Sequence, residues 1–265
     1  FEALKSTAPI QRRESATTNS ARNNLSFFEA YFSNFIEGTE FEIDEAVDII
    51  FNGRIPNDRP EDAHDVLGTF RIVSDYSEMA KLPKATENFL QLLKSRHAIF
   101  MELRPDKHPG AFKIKNNQAG SSLFVTPDLV EGTLEKGFEI YQSLDVPLYR
   151  AIFMMFLISE VHPFTDGNGR AARIMMNAEL VAANEEKIII PTIYRSNYLS
   201  SLKALTHNGL TAPLIRTLDF AQRYTRSINW EDFDEAKRQL QVTNAFMDPS
   251  EADEAGIRLK IYQEE

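Results

Sequence analysis

The sequence has 265 residues, of which 43% are hydrophobic, so it can bury a substantial core as one large domain or two small ones. Its formal net charge of −10 argues against nucleic acid and anionic membrane surfaces as main partners, because both carry dense negative charge. The absence of cysteine excludes thiolate nucleophiles and zinc–thiolate sites.

The first hundred residues are predicted to be a polar arm followed by helices. Residues 1–20 are polar and irregular in pattern. From about Asn23 to Glu37, apolar residues recur at helical spacing, and Gly38 provides a C-terminal stop. A turn-rich connector covers residues 52–61. Further helices are predicted at residues 43–51, 62–76 and 84–103.

The segment 105–127 is the one predicted β region. Residues 111–115 alternate apolar and polar side chains, residues 116–122 are turn-like, and residues 123–125 form a short β run. An isolated hairpin is only marginally stable. We therefore expect this hairpin to dock on the helical body.

The second half is predicted to be helical again. Residues 149–161 are apolar on nearly every side, and that helix should end near His162, since a residue before proline disfavours the α conformation. The next helix begins around Asn168 and runs through Ala182. Further helices are predicted at residues 194–205, 213–228 and 231–246, after a short apolar run at 187–191.

The loop between these two helices has the composition of an anion site. It leads into a helix N-terminus, where free N–H groups and the helix dipole favour negative charge. Gly167 and Gly169 allow the backbone to approach a ligand closely. Arg170 and Arg173 share one helix face. Each residue alone has a structural explanation, but two arginines at a positive helix end are unfavourable unless an anion or a carboxylate is present.

Two further side chains of this loop suit phosphate chemistry. His162 can accept a proton near neutral pH, and Asp166 is a hard oxygen ligand suited to Mg²⁺. The loop is not a P-loop, and an EF-hand is excluded because Arg170 stands where an acid or amide is needed. Neither GxSxG nor HExxH occurs in the chain.

The run HPFTDGNGRAAR at residues 162–173 resembles the signature of the Fic (Fido) family, HxFx(D/E)GNGRxxR, at every specified position. The resemblance implies an all-α fold, a Fic-type helical bundle with a small β-hairpin flap beside the active site. It also implies protein adenylyltransferase activity, which moves AMP from Mg·ATP to a protein hydroxyl. The cofactors it implies are ATP, as substrate, and Mg²⁺.

The resemblance also implies a role for each motif residue. His162 is the catalytic base, Asp166 the metal ligand, and Phe164 an apolar anchor. The nucleotide is bound by the other specified positions, namely Gly167, Asn168, Gly169, Arg170 and Arg173. Tyr198, in the sequence RSNY, resembles a family tyrosine near the nucleotide base, although a core tyrosine is an equal alternative.

A second match lies upstream. Residues 33–38, SNFIEG, resemble the family's inhibitory motif (S/T)xxxE(G/N), with Ser33 and Glu37 at its fixed positions. Glu37 lies in the last turn of the predicted helix, where the dipole disfavours a carboxylate. The resemblance implies that Glu37 pairs with Arg173 and occupies the subsite of the γ-phosphate, as in the class with an N-terminal inhibitory helix. The enzyme is then autoinhibited.

The resemblance organises the chain into three segments. Residues 1–80 hold the arm and the inhibitory helix at about 23–38, residues 81–226 form the Fic core, and residues 227–265 are an acidic helical tail. Removal of AMP, transfer of another phosphate-containing group, and a nucleotide-sensing module with little activity remain alternatives. The intact His162 and Asp166 count against the last of these.

The expected partner is a protein with a Ser, Thr or Tyr hydroxyl, docked on the flap at residues 111–126 by strand addition. Self-modification and a homodimer are left open. No apolar stretch is long enough to span a bilayer, so we expect no membrane partner and a cytoplasmic location. Because the sequence begins at Phe1 rather than Met, an upstream segment or a removed signal peptide stays open.

Overall fold

The computed structural model describes residues 2–6, 11–119 and 122–263. These described residues form thirteen α-helices and one short hairpin of two strands, which confirms the predicted all-α class. The helices are α1 Glu2–Lys5, α2 Asn19–Ile36, α3 Ile43–Asn52, α4 Pro60–Ser74, α5 Tyr76–Met79, α6 Thr86–Phe100, α7 Val130–Tyr141, α8 Pro147–Val161, α9 Asn168–Ala182, α10 Arg195–Asn208, α11 Thr211–Arg226, α12 Phe233–Val242 and α13 Pro249–Glu254. The strands are β1 Gln118–Ala119 and β2 Ser122–Leu123.

The chain divides into two compact units. Among the described residues, unit 1 comprises 2–6 and 42–183, and unit 2 comprises 11–41 and 184–263. These units do not follow the three segments expected from the sequence, whose domain organisation stays a prediction. Unit 1 contains the whole motif from His162 to Arg173.

Unit 1 is built around the pair α8 and α9. The α8 helix starts with Pro147, whose missing N–H costs nothing at a first helical position. It presents buried apolar side chains on nearly every side, including Ala151, Met154 and Ile158. The α9 helix packs along it, with α5, α6 and α7 as further neighbours of this pair. This packing fixes both ends of the loop that joins α8 to α9.

Unit 2 is held together by α2 and the C-terminal tail. Thr18 caps α2 by accepting a hydrogen bond from the N–H of Ala21 at 3.1 Å. Phe28 stacks on Phe233 of α12 at 5.2 Å, and Trp230 is almost fully buried. The acidic tail therefore packs on α2 as part of the core of this unit.

Three predictions about elements need correction. The strands lie at 118–119 and 122–123, not at 111–115 and 123–125, with Gln118 opposite Leu123. The N-terminal arm contains the short helix α1, and Arg12 is buried between Gln222 and Asp219. The helix α7 was missed. None of the helices among the described residues is long and apolar enough to cross a membrane.

Candidate active site

The loop between α8 and α9 has an unusual backbone at its first residue. His162 ends α8 in the left-handed region, with φ 51° and ψ 58°, and its N–H still donates to the carbonyl of Ile158 at 2.9 Å. This conformation is uncommon for a residue with a side chain and is typical of functional sites. It turns the chain sharply, so that the imidazole follows directly after a rigid buried helix.

The neutral imidazole of His162 has a defined arrangement of its two nitrogens. Nδ1 lies 3.4 Å from the carbonyl oxygen of Ser159. A carbonyl can only accept a hydrogen bond, so Nδ1 carries the proton in the neutral ring. Nε2 then keeps its lone pair, which is the form that a general base needs.

The rest of the loop is closed by Asn168, the first residue of α9. Its side chain accepts from the N–H of Phe164 at 2.8 Å and donates to the carbonyl of the same residue at 2.9 Å. Phe164 is fully buried. The loop is therefore held by the buried side chain of Phe164 and by the two hydrogen bonds between Phe164 and Asn168.

Gly167 is required for two separate reasons. Its φ of 73° is a conformation that side chains rarely adopt, and a Cβ atom there would lie 3.0 Å from both Met101 Sδ and Phe100 Cε2. It precedes the first turn of α9, where Gly169 is the second residue and the first N–H groups have no acceptor within the helix. This turn is suited to hold an anion.

Arg170 lies in the same turn and is only 3% exposed. Its Nη1 lies 3.0 Å from Oδ1 of Asp65 on α4, and its guanidinium packs over the ring of Phe100 at 5.5 Å. The ion pair with Asp65 occupies Nη1, whereas Nε of Arg170 has no hydrogen-bond acceptor. A buried guanidinium with an unfilled donor is costly without an anionic ligand. Arg173, one turn further, is also buried.

Asp65 was not expected from the sequence. It also pairs with Arg104, whose Nη1 donates to Oδ2 at 2.9 Å. Burial raises the pKa of Asp65 from its ordinary value, while the two guanidinium groups act in the opposite direction. Asp65 thus holds Arg170 in place through one of its two carboxylate oxygens.

Asp166 is half-buried and points one oxygen toward the helix end, where Oδ1 accepts from the N–H of Gly167 at 2.6 Å. The described residues contain no group of three or more His, Cys, Asp or Glu side chains that could hold a metal ion by themselves. Mg²⁺ usually binds through one or two carboxylates together with substrate phosphates. A single carboxylate beside an anion site therefore fits a metal that arrives with a nucleotide.

His97 on α6 is a further site residue that the sequence did not reveal. Its ring stacks on Phe164, with centroids 3.6 Å apart, and its Nε2 lies 3.0 Å from the carbonyl oxygen of Asp166. Its Nδ1 accepts from the N–H of Gly110 at 2.9 Å, so Nε2 must be the donor. Burial lowers the pKa of His97 to about 4 and keeps the ring neutral.

Lys113 and Asn117 support the loop from the other side. The N–H of Lys113 donates to the carbonyl of Pro163 at 2.8 Å, and its Nζ donates to Asn117 Oδ1 at 2.6 Å. Asn117 in turn donates to the carbonyls of Phe164 at 2.9 Å and His162 at 3.3 Å. Lys113 is 4% exposed, and burial lowers its pKa to about 8. The segment before the hairpin is thereby fastened to the motif.

The hairpin also reaches the proposed base. The ring of Phe124, the residue after β2, stacks on the imidazole of His162 with centroids 3.8 Å apart and planes 6° from parallel. Leu123 of β2 is 79% exposed, and Ile114, four residues before β1, is 78% exposed. The predicted docking of the hairpin beside the motif therefore corresponds to direct contacts within unit 1.

The remaining predicted site residues belong to unit 2. Ser33 is buried in α2, and Glu37 is the exposed residue that ends this helix, before Gly38 with φ 94°. The carbonyl of Ile36 accepts from Arg195 Nε at 3.0 Å, which holds the end of α2. Tyr198 on α10 is only 2% exposed, so it presents little surface to a nucleotide. Its contact with the base stays a prediction.

Comparison with known proteins agrees with this geometry. The sequence model of the Fic/DOC family matches residues 86–180, from α6 to α9. A protein adenylyltransferase Fic from Drosophila persimilis is 24% identical over 206 residues, which cover 76% of this chain and 40% of that protein. The Drosophila melanogaster protein of the same name is 39% identical over 70 residues, or 26% of this chain. The chain thus spans about two fifths of the length of this Drosophila persimilis relative.

Solved structures share the fold at low sequence identity. A fragment of Fic-1 from C. elegans superposes with a TM-score of 0.62 at 19% identity, covering 82% of this chain and 63% of that one. A Fic domain-containing signaling protein from Bacteroides thetaiotaomicron has a TM-score of 0.62 at 15% identity, covering 87% of this chain and 96% of that one. With its glycine-rich loop between α8 and α9, this chain contains a domain of the Fic/DOC (Fido) family, matched over residues 86–180.

Proposed function

We propose that this protein is a nucleotidyltransferase that moves AMP from Mg·ATP to a Ser, Thr or Tyr hydroxyl of a protein. The observation that carries the proposal is the buried Arg170, whose Nε lacks an acceptor, in the first turn of a helix that the short loop after His162 leads into. The name protein adenylyltransferase, borne by the curated relatives, supports the same chemistry.

In the proposed reaction, the hydroxyl oxygen of the target attacks the α-phosphorus of ATP while Nε2 of His162 takes the hydroxyl proton. The bond from the α-phosphorus to the oxygen that bridges to the β-phosphate breaks, and pyrophosphate leaves with the electron pair. The N–H groups of the first turn of α9 and the side chain of Arg170 bind the phosphate oxygens. Such a displacement depends on positioning and charge neutralisation more than on covalent help.

Asp166 would hold Mg²⁺, which supplies charge neutralisation to the phosphates when bound. Arg173 is proposed to bind the γ-phosphate. The half-buried position of Asp166, beside the N–H of Gly167, suits a carboxylate that shares a metal with phosphate oxygens. A nucleotide-sensing module would need neither this carboxylate nor the lone pair on His162.

We further propose that Glu37 regulates the enzyme by pairing with Arg173 and so competing with the γ-phosphate. Glu37 is exposed at the C-terminal end of α2, where the helix dipole makes a carboxylate unfavourable. The preceding residue is held through its carbonyl by Arg195, which fixes where the helix stops. A target protein is proposed to add as a strand to the hairpin, where the exposed apolar side chains of Leu123 and of Ile114, in the segment before β1, offer contacts.

The test is incubation with Mg²⁺ and α-labelled ATP, followed by detection of label on protein. We expect weak self-labelling of the parent and strong labelling of the Glu37→Gly variant. Glu40→Gly is the matched control, since Glu40 is an exposed glutamate three residues away, and it should behave like the parent. Equal labelling of the parent and Glu37→Gly would refute the inhibition.

Two further variants test the chemistry itself. His162→Ala in the Glu37→Gly background should abolish labelling, and persistent label would remove His162 from its role as base. Label from γ-labelled ATP instead of α-labelled ATP would indicate phosphate transfer. The mass of the adduct on Glu37→Gly identifies the transferred group. Release of AMP from a previously modified protein would favour the alternative reaction, in which water attacks the phosphorus and the protein hydroxyl leaves.

A further inference from the structure

Phe124 of the hairpin segment stacks directly on the proposed base, His162. Its ring lies parallel to the imidazole of His162 at 3.8 Å, which is full van der Waals contact over one face. Phe124 itself is half-buried, and Lys113 Nζ lies 6.0 Å from the centre of its ring. The base therefore has an aromatic neighbour that comes from the hairpin and not from the motif.

Two contacts bear on the plane and the rotation of the His162 ring. The stack on Phe124 sets the plane, and the approach of Nδ1 to the Ser159 carbonyl at 3.4 Å sets which nitrogen points inward. The second contact alone is long for a hydrogen bond and gives weak orientation. Nε2, at the edge of the ring, stays uncovered by the stack because a parallel ring covers only a face.

The position of Phe124 in the chain links this stack to the hairpin. It follows β2 directly, and the pairing of Gln118 with Leu123 fixes the strand just before it. A strand pair as short as this is marginally stable alone. A target strand that adds to β2 would therefore stabilise the backbone that carries Phe124, and with it the orientation of the imidazole.

We propose that Phe124 is a positioning residue that orients the His162 imidazole for proton transfer, so that occupation of the hairpin by a target strand also prepares the base. This inference rests on the proposed transferase function. It concerns the rate of the chemical step, because Phe124 lies against the base that takes the proton.

The test compares Phe124→Leu with Phe124→Tyr in the Glu37→Gly background. Phe124→Leu removes the aromatic stack, and Phe124→Tyr keeps it. From the usual worth of an aromatic pair, the maximal self-labelling rate should fall about 3- to 10-fold in Phe124→Leu. The ATP concentration that gives half-maximal labelling should stay unchanged, and Phe124→Tyr should match the background. An unchanged maximal rate in Phe124→Leu would overturn the proposal.

A spectroscopic measurement separates this inference from the proposed function. The ring protons of His162, assigned among the five histidines by comparison with His162→Asn, should be shifted upfield by the current of the Phe124 ring. Phe124→Leu should move them back toward the position of an unstacked histidine, and Phe124→Tyr should not. Unmoved resonances would refute the stack. If Glu37→Gly transfers no label at all, the proposed function fails, whereas the resonances still decide the orientation of His162.

Discussion

His97 joins the motif to the segment before the hairpin through one hydrogen bond at each ring nitrogen. Substitutions that keep only one of these bonds can distinguish their contributions. Asparagine places a side-chain oxygen near the position of Nδ1, where it can accept from the N–H of Gly110. Glutamine places an amide nitrogen near Nε2, where it can donate to the carbonyl of Asp166. Both variants lose the stack on Phe164, so the difference between them isolates the two hydrogen bonds.

The expected loss of stability follows from these contacts. Gly110 and Asp166 are half-buried, so water can partly replace a lost hydrogen bond. Each loss should therefore cost roughly 1 kcal/mol, near the low end of the range for a buried group left without a partner. The stack adds about 1 kcal/mol, and removal of the ring leaves a cavity beside Phe164. His97→Ala should thus lose about 3–4 kcal/mol in the free energy of unfolding, and Asn or Gln about 2 kcal/mol each. At 2–4 °C per kcal/mol, His97→Ala should melt roughly 10 °C lower.

Activity should distinguish the two amides, although their stability is similar. His97→Asn loses the bond to the loop that carries Asp166, so half-maximal labelling should need more Mg²⁺. His97→Gln keeps that bond and should retain the Mg²⁺ dependence of the parent, while protease should cleave the segment 104–117 more readily. These measurements belong in the Glu37→Gly background. Identical Mg²⁺ dependence and identical cleavage in the two variants would refute the argument that His97 positions both partners.

Two other predictions concern buried carboxylates of unit 1. Burial raises the pKa of Glu179 from 4.5 to about 7, so the folded state holds an extra proton, and stability falls as pH rises from 4.5 to 7. In Glu179→Gln, which can still accept the hydrogen bond from Tyr141, stability should fall by up to about 3 kcal/mol less over this pH range. Urea unfolding of both proteins at pH 5 and at pH 8 measures the difference. An equal change in stability with pH in the two proteins would contradict the raised pKa of Glu179. Asp65→Asn removes the carboxylate that pairs with the buried Arg170 and should cost about 3–5 kcal/mol, whereas Arg104 keeps its ion pairs with Glu61 and Asp106. Added pyrophosphate should raise its melting temperature more than that of the parent, and a melting temperature equal to the parent without pyrophosphate would show that Asp65 holds neither arginine.

The sequence predicted the helices that flank the motif because each has strong local signals. Pro147 begins α8, and the constraint before Pro163 ends it at Val161, one residue before His162. The glycine-rich turn then predicts the start of α9 at Asn168. These signals act within a few residues, so no knowledge of the packing is needed to identify them.

The hairpin shows where such local signals fail. The alternation in residues 111–115 predicted a strand, but no strand forms there, and Lys113 is buried while Ile114 is exposed. The backbone of Lys113 pairs with Pro163 instead of with another strand, and its ammonium group donates to Asn117. The order of polar and apolar residues cannot reveal that the ammonium group of a lysine is buried and hydrogen-bonded to acceptors within the protein.

The supporting residues were missed for a different reason. The partners of His97 lie 13 residues away at Gly110 and 69 residues away at Asp166. Asp65 likewise meets Arg170 only through the packing of unit 1. Nothing in the sequence near His97 or Asp65 differs from an ordinary helix, because the contacts that give these residues a role arise on folding.

The motif therefore contains the groups proposed to react, whereas many of the contacts that hold its backbone in place come from residues outside it. The carbonyls of Val161, His162, Pro163 and Phe164 accept from Lys113 or Asn117, and that of Asp166 accepts from His97. Since a histidine with a left-handed backbone depends on its surroundings to stay in place, these contacts stabilise the strained turn. The same short segment also carries the hairpin on which we expect a target to bind. If a target binds there as proposed, its binding and the alignment of the proposed base would act on one connected set of hydrogen bonds, so we expect the target to influence the rate through this segment.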